Sequence, residues 1–236
     1  MDDTGPQRGR ELELSDADRT SLADIWQERA QSELNAASGF ALVSTALFQL
    51  GAPQPVLELA TRAVHDEVRH SELCRGLAEH YRGEPVPPPK AKRVSMPSHP
   101  GAPRDLVPHL HVVGLCCINE TLAAGFLEAC LDVTADPHAR PLARAHLADE
   151  VQHGRVGWAH LAHVDDAVRQ AVGTFVPRLL EANVRRWVRR LRILPEAGIP
   201  GYGIPSRQAA MAAIEETVRA VILPGFQHVG VPLAVP

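Results

Sequence analysis

The chain has 236 residues, enough for one domain with an appendage, and its 45% apolar and 22% charged composition is that of a folded globular protein. Lys and Arg total 24 against 28 Asp and Glu, a formal charge of -4 that gives no overall attraction to nucleic acid or to an anionic membrane. Aromatic residues are only 4%, too few for a base-stacking surface; no uninterrupted apolar run reaches the ~20 residues that cross a bilayer, and the polar amino terminus lacks the apolar core of a signal peptide.

Residues 1–16 read as a flexible tail. Ser15 or Asp16 caps a first helix over about 17–50, ended by Gly51 and Pro53, with Ile25, Trp26, Ala30, Ala37, Phe40 and Leu47 on its apolar stripe. A second helix, about 54–82, carries Pro55 in its first turn and stops at Gly83. Residues 83–104 hold seven prolines and form an extended linker. In the polyproline conformation it reaches ~65 Å, whereas a helix of this size is roughly 42 Å long. The linker can therefore cross the full length of a bundle, and the third helix, about 105–134, can run parallel to the second. Asp136 and Pro137 start a fourth helix, about 137–163; a fifth covers about 166–192, and Ser206 caps a sixth ending near 222. The expected fold is all-α: four long helices with one long crossover over 17–165, the ferritin-like plan, and a helical extension over 166–236 packed on it.

Two helices repeat one motif. Helix two contains Asp66-Glu67-Val68-Arg69-His70, and helix four contains Asp149-Glu150-Val151-Gln152-His153. Residues three apart share a helix face, so each Glu-x-x-His pair presents a carboxylate and an imidazole to one ion. Each helix follows one with a carboxylate in mid-stripe: Glu33 precedes Glu67 by 34 residues, and Glu120 precedes Glu150 by 30. Such a carboxylate is costly to bury unless something pairs it. Four Glu and two His then meet in the middle of a bundle, the dinuclear carboxylate site that general accounts of ferritin-like folds describe. Asp66 and Asp149 are placed to accept the free N–H of a ligand histidine on the facing helix. The repeat is broken at one point: His146 stands four residues before Glu150, where the second helix has Ala63, and adds a seventh candidate ligand on the same face.

Through Glu33, Glu67-x-x-His70, Glu120 and Glu150-x-x-His153, the chain resembles the ferritin-like di-iron carboxylate proteins over about residues 17–165. With His146 it resembles the p-aminobenzoate N-oxygenase-like arylamine oxygenases, whose pattern is also a Glu, ExxH, a Glu and HxxxExxH. The resemblance implies two iron ions, with manganese compatible, O₂ as co-substrate, and oxygen placed on an amine or related small molecule.

Carboxylate and imidazole suit iron or manganese, whereas thiolates favour zinc. The cysteines at 74, 116, 117 and 130 include no CxxC, so neither a zinc ribbon nor a rubredoxin-type relay is present; a reducing, cytoplasmic compartment is expected, with electrons from a separate ferredoxin or reductase. Cys116 and Cys117 read mainly as small packing residues. Trp26 and Trp158 either line a pocket or fill core; His160 and His163 read as surface or second-layer residues. Small residues near ligand level, among them Ala36, Gly39, Ala123, Gly125, Gly154 and Gly157, either leave room for substrate or let helices approach. Tyr81 lies roughly 16 Å along the helix from His70, which disfavours a tyrosyl radical. The arginines from Arg185 to Arg192 are either a solvated face or a site for an acidic partner, a substrate carboxylate or a carrier phosphate. Rival readings are a ferroxidase or storage protein and a manganese catalase or peroxidase on the same bundle. No nucleic acid or membrane partner is expected, and a homodimer is left open.

Overall fold

The structure, a computed structural model, describes residues 14–233. Among them are seven helices and no strand, only isolated bridges such as Ile199 with Ile204. The tail expected over 1–16 falls mostly outside the described residues; Ser15 is the cap of α1, Asp16–Gln49, and its Oγ accepts from Asp18 N at 3.1 Å. α2 is Gln54–Arg82, with Pro55 in its first turn, where a missing N–H has no partner to lose. Gly83 closes it in the left-handed region, φ 77°, donating to Glu79 O.

α3, Val107–Asp132, is not a uniform helix: α-helical turns at Val107–Val112 and Thr121–Asp132 flank a π-helical stretch, Val113–Glu120. α4 spans Ala139–His163, two residues later than expected from Pro137; Asp136 Oδ1 accepts from His138 N at 3.2 Å and Asp136 O from Arg140 N, which starts the helix. The single fifth helix expected over 166–192 is instead two, α5 at Asp166–Gly173 and α6 at Val176–Arg190. Pro177 has no N–H to donate to Gly173 O, so the α ladder stops there and restarts with Pro177 in its first turn. α7 runs over 207–228, six residues past the expected end; Ser206 Oγ caps it through Ala209 N, and a π stretch, Val218–Ile222, precedes Pro224.

Cross-contacts fix the directions. Ser71 Oγ donates to Ala30 O (2.7 Å) and Arg82 pairs with Asp24 (2.5 Å), so α1 and α2 are antiparallel. α4 is antiparallel to α2, since Tyr81 hydroxyl donates to Asp136 while Asp66 approaches His153. It is antiparallel to α3 as well, because Gly154 lies by Thr121 and Gly157 by Cys117. α2 and α3 are therefore parallel, as the linker's length predicts. The linker climbs along α1: Gln31 and Lys90 exchange two hydrogen bonds of 3.0 Å, and Val94 N reaches Ser38 Oγ at 3.4 Å.

The C-terminal helices pack on these four. α6 descends beside α3, with Leu179 against Gly114 and Trp187 Nε1 donating to Asn119 Oδ1 at 3.2 Å, and reaches α1 through Arg190 Nη2 to Ser32 Oγ at 2.5 Å. α7 crosses α3 and α4, where Gly125 admits Thr217 and Gly225 admits the Trp158 ring. Among the described residues α3 is the one helix long and apolar enough to cross a membrane; most of that apolar stretch is buried between α1, α4, α6 and α7. All four cysteines are free and buried in the core.

Candidate metal centre

The doubled motif converges. Glu67 of α2, Glu120 of α3, and Glu150 and His153 of α4 bring one ligand atom each within 4.8 Å of the others. Glu33 of α1, His70 of α2, and His146 and Glu150 of α4 form a second such group. All seven sequence-derived candidates belong to one group or the other, and Glu150 belongs to both, the position of a bridging carboxylate. His146 joins the group that already holds His70, so that group has two imidazoles and the other has one.

Local helix geometry aims the ligands. His70 Nδ1 lies 3.6 Å from Glu67 Oε2, three residues back; His153 Nδ1 lies 3.3 Å from Glu150 Oε2 in the same relation and 3.1 Å from Glu67 Oε1 across the interior. His146, four residues before Glu150, points Nε2 inward, 3.1 Å from Glu150 Oε1 and 3.9 Å from Glu33 Oε2. The His70 and His146 rings are 3.9 Å apart. Glu120 is the last residue of the π stretch, and wide turns of this kind occur frequently at functional sites.

The surrounding shell is asymmetric. Asp149 Oδ2 accepts from His70 Nε2 at 3.1 Å and also from Arg69, so the His70 proton sits on Nε2 and Nδ1 is left free for an ion. The matching contact of Asp66 with His153 Nε2 is 3.6 Å, beyond hydrogen-bond length; Asp66 lies instead between Arg62 (3.4 Å) and Arg69 (3.5 Å). Asn119, which the motif reading missed, donates to Glu120 Oε1 at 3.0 Å while accepting from Trp187.

The chemistry of this donor set fits cations. Glu67, Glu120 and Glu150 are almost fully buried, and both Glu67 oxygens, His70 Nδ1, both His146 nitrogens and His153 Nε2 are buried with no hydrogen-bond partner. Groups left in that state are destabilising unless something else satisfies them. Burial, reinforced by the Glu150 charge, pushes Glu67 and Glu120 well above the ordinary carboxylate range. Burial also works against the Glu150 anion, but the close His146 and His153 imidazoles outweigh it and hold Glu150 well below that range. His153 is pushed up to about 11 because the nearby Glu150 and Glu67 carboxylates overcome its burial, and burial lowers His70. The raised Glu67, Glu120 and His153 favour their protonated forms, so a cation bound here would compete with protons. Oxygen and imidazole donors of this kind could hold divalent metal ions.

A cavity of about 1060 Å³ lies against this centre, walled by α1, the linker, α3 and α6; Glu33, Glu120, His146 and Glu150 form part of its lining. The small residues divide by role. Ala36, Gly39 and Ala123 line the cavity, whereas Gly125 and Gly157 serve helix contact: a Cβ on Gly157 would fall 2.5 Å from Cys117 Sγ. Trp26 and Trp158 fill core, and the tryptophan that lines the cavity is Trp187. His163 is exposed, but His160 is a buried partner of His109 at 2.9 Å and not a surface residue. Of the arginine run, read as either a solvated face or an anion or partner site, Arg190 turns inward to Ser32. No family model matches the chain, and neither a curated protein nor a solved structure is significantly similar to it.

Proposed function

We propose that this chain is a non-haem di-iron oxygenase of the ferritin-like type, holding two iron ions through Glu33, Glu67, His70, Glu120, His146, Glu150 and His153 and oxygenating a small organic substrate, with amines the leading class. One observation carries the reading: two ligand groups share Glu150 and abut a cavity large enough for an organic molecule. A storage or ferroxidase site has no use for such a chamber.

When bound, the iron pair supplies the redox chemistry that activates O₂. The balance is one substrate, one O₂, two electrons and two protons to one oxygenated product and one water. The electrons come from an external ferredoxin or reductase, because the chain has no CxxC pair for a relay of its own. The chain's residues do the positioning. Asp149 fixes the His70 tautomer, Arg69 braces Asp149, and Asn119 orients Glu120. His146 makes one half of the centre richer in imidazole. Ala36, Gly39 and Ala123 leave space beside the ligands, and Trp187 with Leu179 forms an apolar wall that limits water.

The test is O₂ consumption by the iron-loaded, reduced protein with a panel of arylamines, with ¹⁸O₂ tracing by mass spectrometry. Incorporation of ¹⁸O into an amine-derived product is expected. Rapid iron(II) oxidation with no labelled product would point to ferroxidase chemistry, and H₂O₂ disproportionation by the manganese-loaded protein alone would point to a catalase.

A further inference from the structure

Six arginines line the cavity: Arg29 from α1, and Arg178, Arg185, Arg186, Arg189 and Arg190 from α6. Leaving out Glu33, Glu120 and Glu150 of the centre, only Glu28 and Glu181 supply negative charge to the lining, a surplus of four positive charges. Glu181 is engaged by Arg185. Among the described residues, no carboxylate oxygen lies within 4.0 Å of the guanidinium nitrogens of Arg29, Arg178, Arg186, Arg189 or Arg190.

The inner members are held in place by aromatic faces. Arg29 lies 4.7 Å from the Trp26 ring centre and 5.2 Å from that of Phe126, and its Nη1 is buried with no hydrogen-bond partner. Arg190 lies 4.7 Å from the Trp187 ring and is anchored by Ser32 Oγ. A guanidinium stacked by its face presents its N–H edge to a ligand, the geometry that suits planar or tetrahedral oxyanions. Burial works against the Arg190 charge, Glu33 and Glu120 favour it, and Arg29 and Arg186 are near enough to repel it. Arg178, Arg185, Arg186 and Arg189 are exposed and Arg29 and Arg190 are half-buried; this many like charges on one wall repel one another and attract an anion.

We propose that the cavity takes an organic phosphate ester, its phosphate held by Arg29, Arg186 and Arg190 and its organic end turned towards Glu33, Glu120 and His146. A single carboxylate offsets one of the surplus charges; a phosphate monoester carries nearly two and offers three acceptor oxygens to three guanidinium groups. The volume, about 1060 Å³, stands at the top of the ~300–1000 Å³ range of small-molecule pockets and accommodates a phosphate together with an organic body. The orientation of the organic end, and the omission of Glu33, Glu120 and Glu150 from the charge count, rest on the di-iron reading; the arginine contacts do not.

Isothermal titration of the full chain, metal-free and iron(II)-loaded, with phenyl phosphate and benzoate as probes tests the assignment. Phenyl phosphate is expected to bind once per chain in both forms, about tenfold or more tighter than benzoate, and Arg186→Gln and Arg190→Gln are each expected to weaken it by about tenfold. Arg186 is exposed, so Arg186→Gln is expected to melt like the parent, which separates loss of the site from loss of the fold. Equal affinity for benzoate would overturn the phosphate assignment in favour of a monocarboxylate. Failure of phenyl phosphate to bind, or binding untouched by Arg186→Gln, would overturn the site. Binding confined to the iron-loaded form and indifferent to both variants would place the probe on the metals and equally overturn it. Phenyl phosphate binding by a chain that retains no iron after loading, on elemental analysis, would sink the di-iron reading and leave this one standing.

Discussion

Asp149 shows how much a single side chain outside the ligand set decides. Its Oδ2 accepts a hydrogen bond from His70 Nε2 and so fixes which imidazole nitrogen is left free. Asp149→Asn keeps the size but removes the charge, and is expected to lower metal affinity by about 10–100-fold, measured by chelator competition; unchanged affinity would reduce Asp149 to a surface partner of Arg69. Protonation follows the same logic. In the metal-free chain burial raises Glu67 and Glu120 towards their protonated forms, and Glu150 and Glu67 raise His153 to about 11. Metal competes with protons for these groups, so affinity is expected to rise with pH, with protons released on loading, read from titrations in buffers of different ionisation enthalpy. The sign for stability is separate. His153, raised in the folded state, stabilises the metal-free fold fully below its unfolded value near 6.5, and that contribution is lost as pH climbs through about 11. Glu67 and Glu120, also raised, oppose folding once pH exceeds the unfolded carboxylate value. The metal-free protein is therefore expected to melt at lower temperature as pH rises above neutral, and metal is expected to reverse the trend.

Most of the helices are legible in the sequence because their signals are local. Ser15, Pro55, Gly83 and Ser206 act at helix ends as their chemistry dictates. Pro177 carried an equally local signal, a break four residues after Gly173, which the arginine-rich run beyond it obscured. The π stretch ending at Glu120 has no such mark, since it depends on how α3 meets α4 and α6. The ligands themselves were readable because the Glu-x-x-His spacing repeats the helix period. Arg29, Asn119 and Trp187 were not singled out, because their roles arise only once α6 closes over α1 and α3. Helix contact at Gly157 gives a test at this scale. Gly157→Ala pushes a methyl into Cys117 and is expected to destabilise the fold by about 1–3 kcal/mol in denaturant melts. Gly76→Ala, on an exposed helix face with nothing within 4 Å, is expected to stabilise by about 0.5–1 kcal/mol. The opposite order would contradict the packing described.

For the molecule as a whole, the C-terminal helices complete the chamber beside the candidate centre. α6 forms one wall of the cavity, and α7 locks onto α3 and α4 through Thr217 and Phe226. Phe226 is fully buried with its ring 5.0 Å from that of Trp158. Phe226→Ala is expected to remove about 3–5 kcal/mol from the stability of the entire fold in one cooperative transition; two separate transitions, the first leaving metal bound, would make the extension an independent unit. The long crossover and the parallel pairing of α2 with α3 were foreseeable from linker length alone. The chamber was not, because it needs helices distant in sequence to leave space between them.

The di-iron reading depends on Glu150 serving both ligand groups. The most direct measurement is metal content per chain, by elemental analysis after iron(II) loading and desalting, for the parent and for Glu150→Ala, with circular dichroism to confirm that both are folded. Two ions in the parent and loss of stable two-metal binding in the variant are the expected result. Two ions retained by a folded Glu150→Ala chain, or none in the parent, would contradict it.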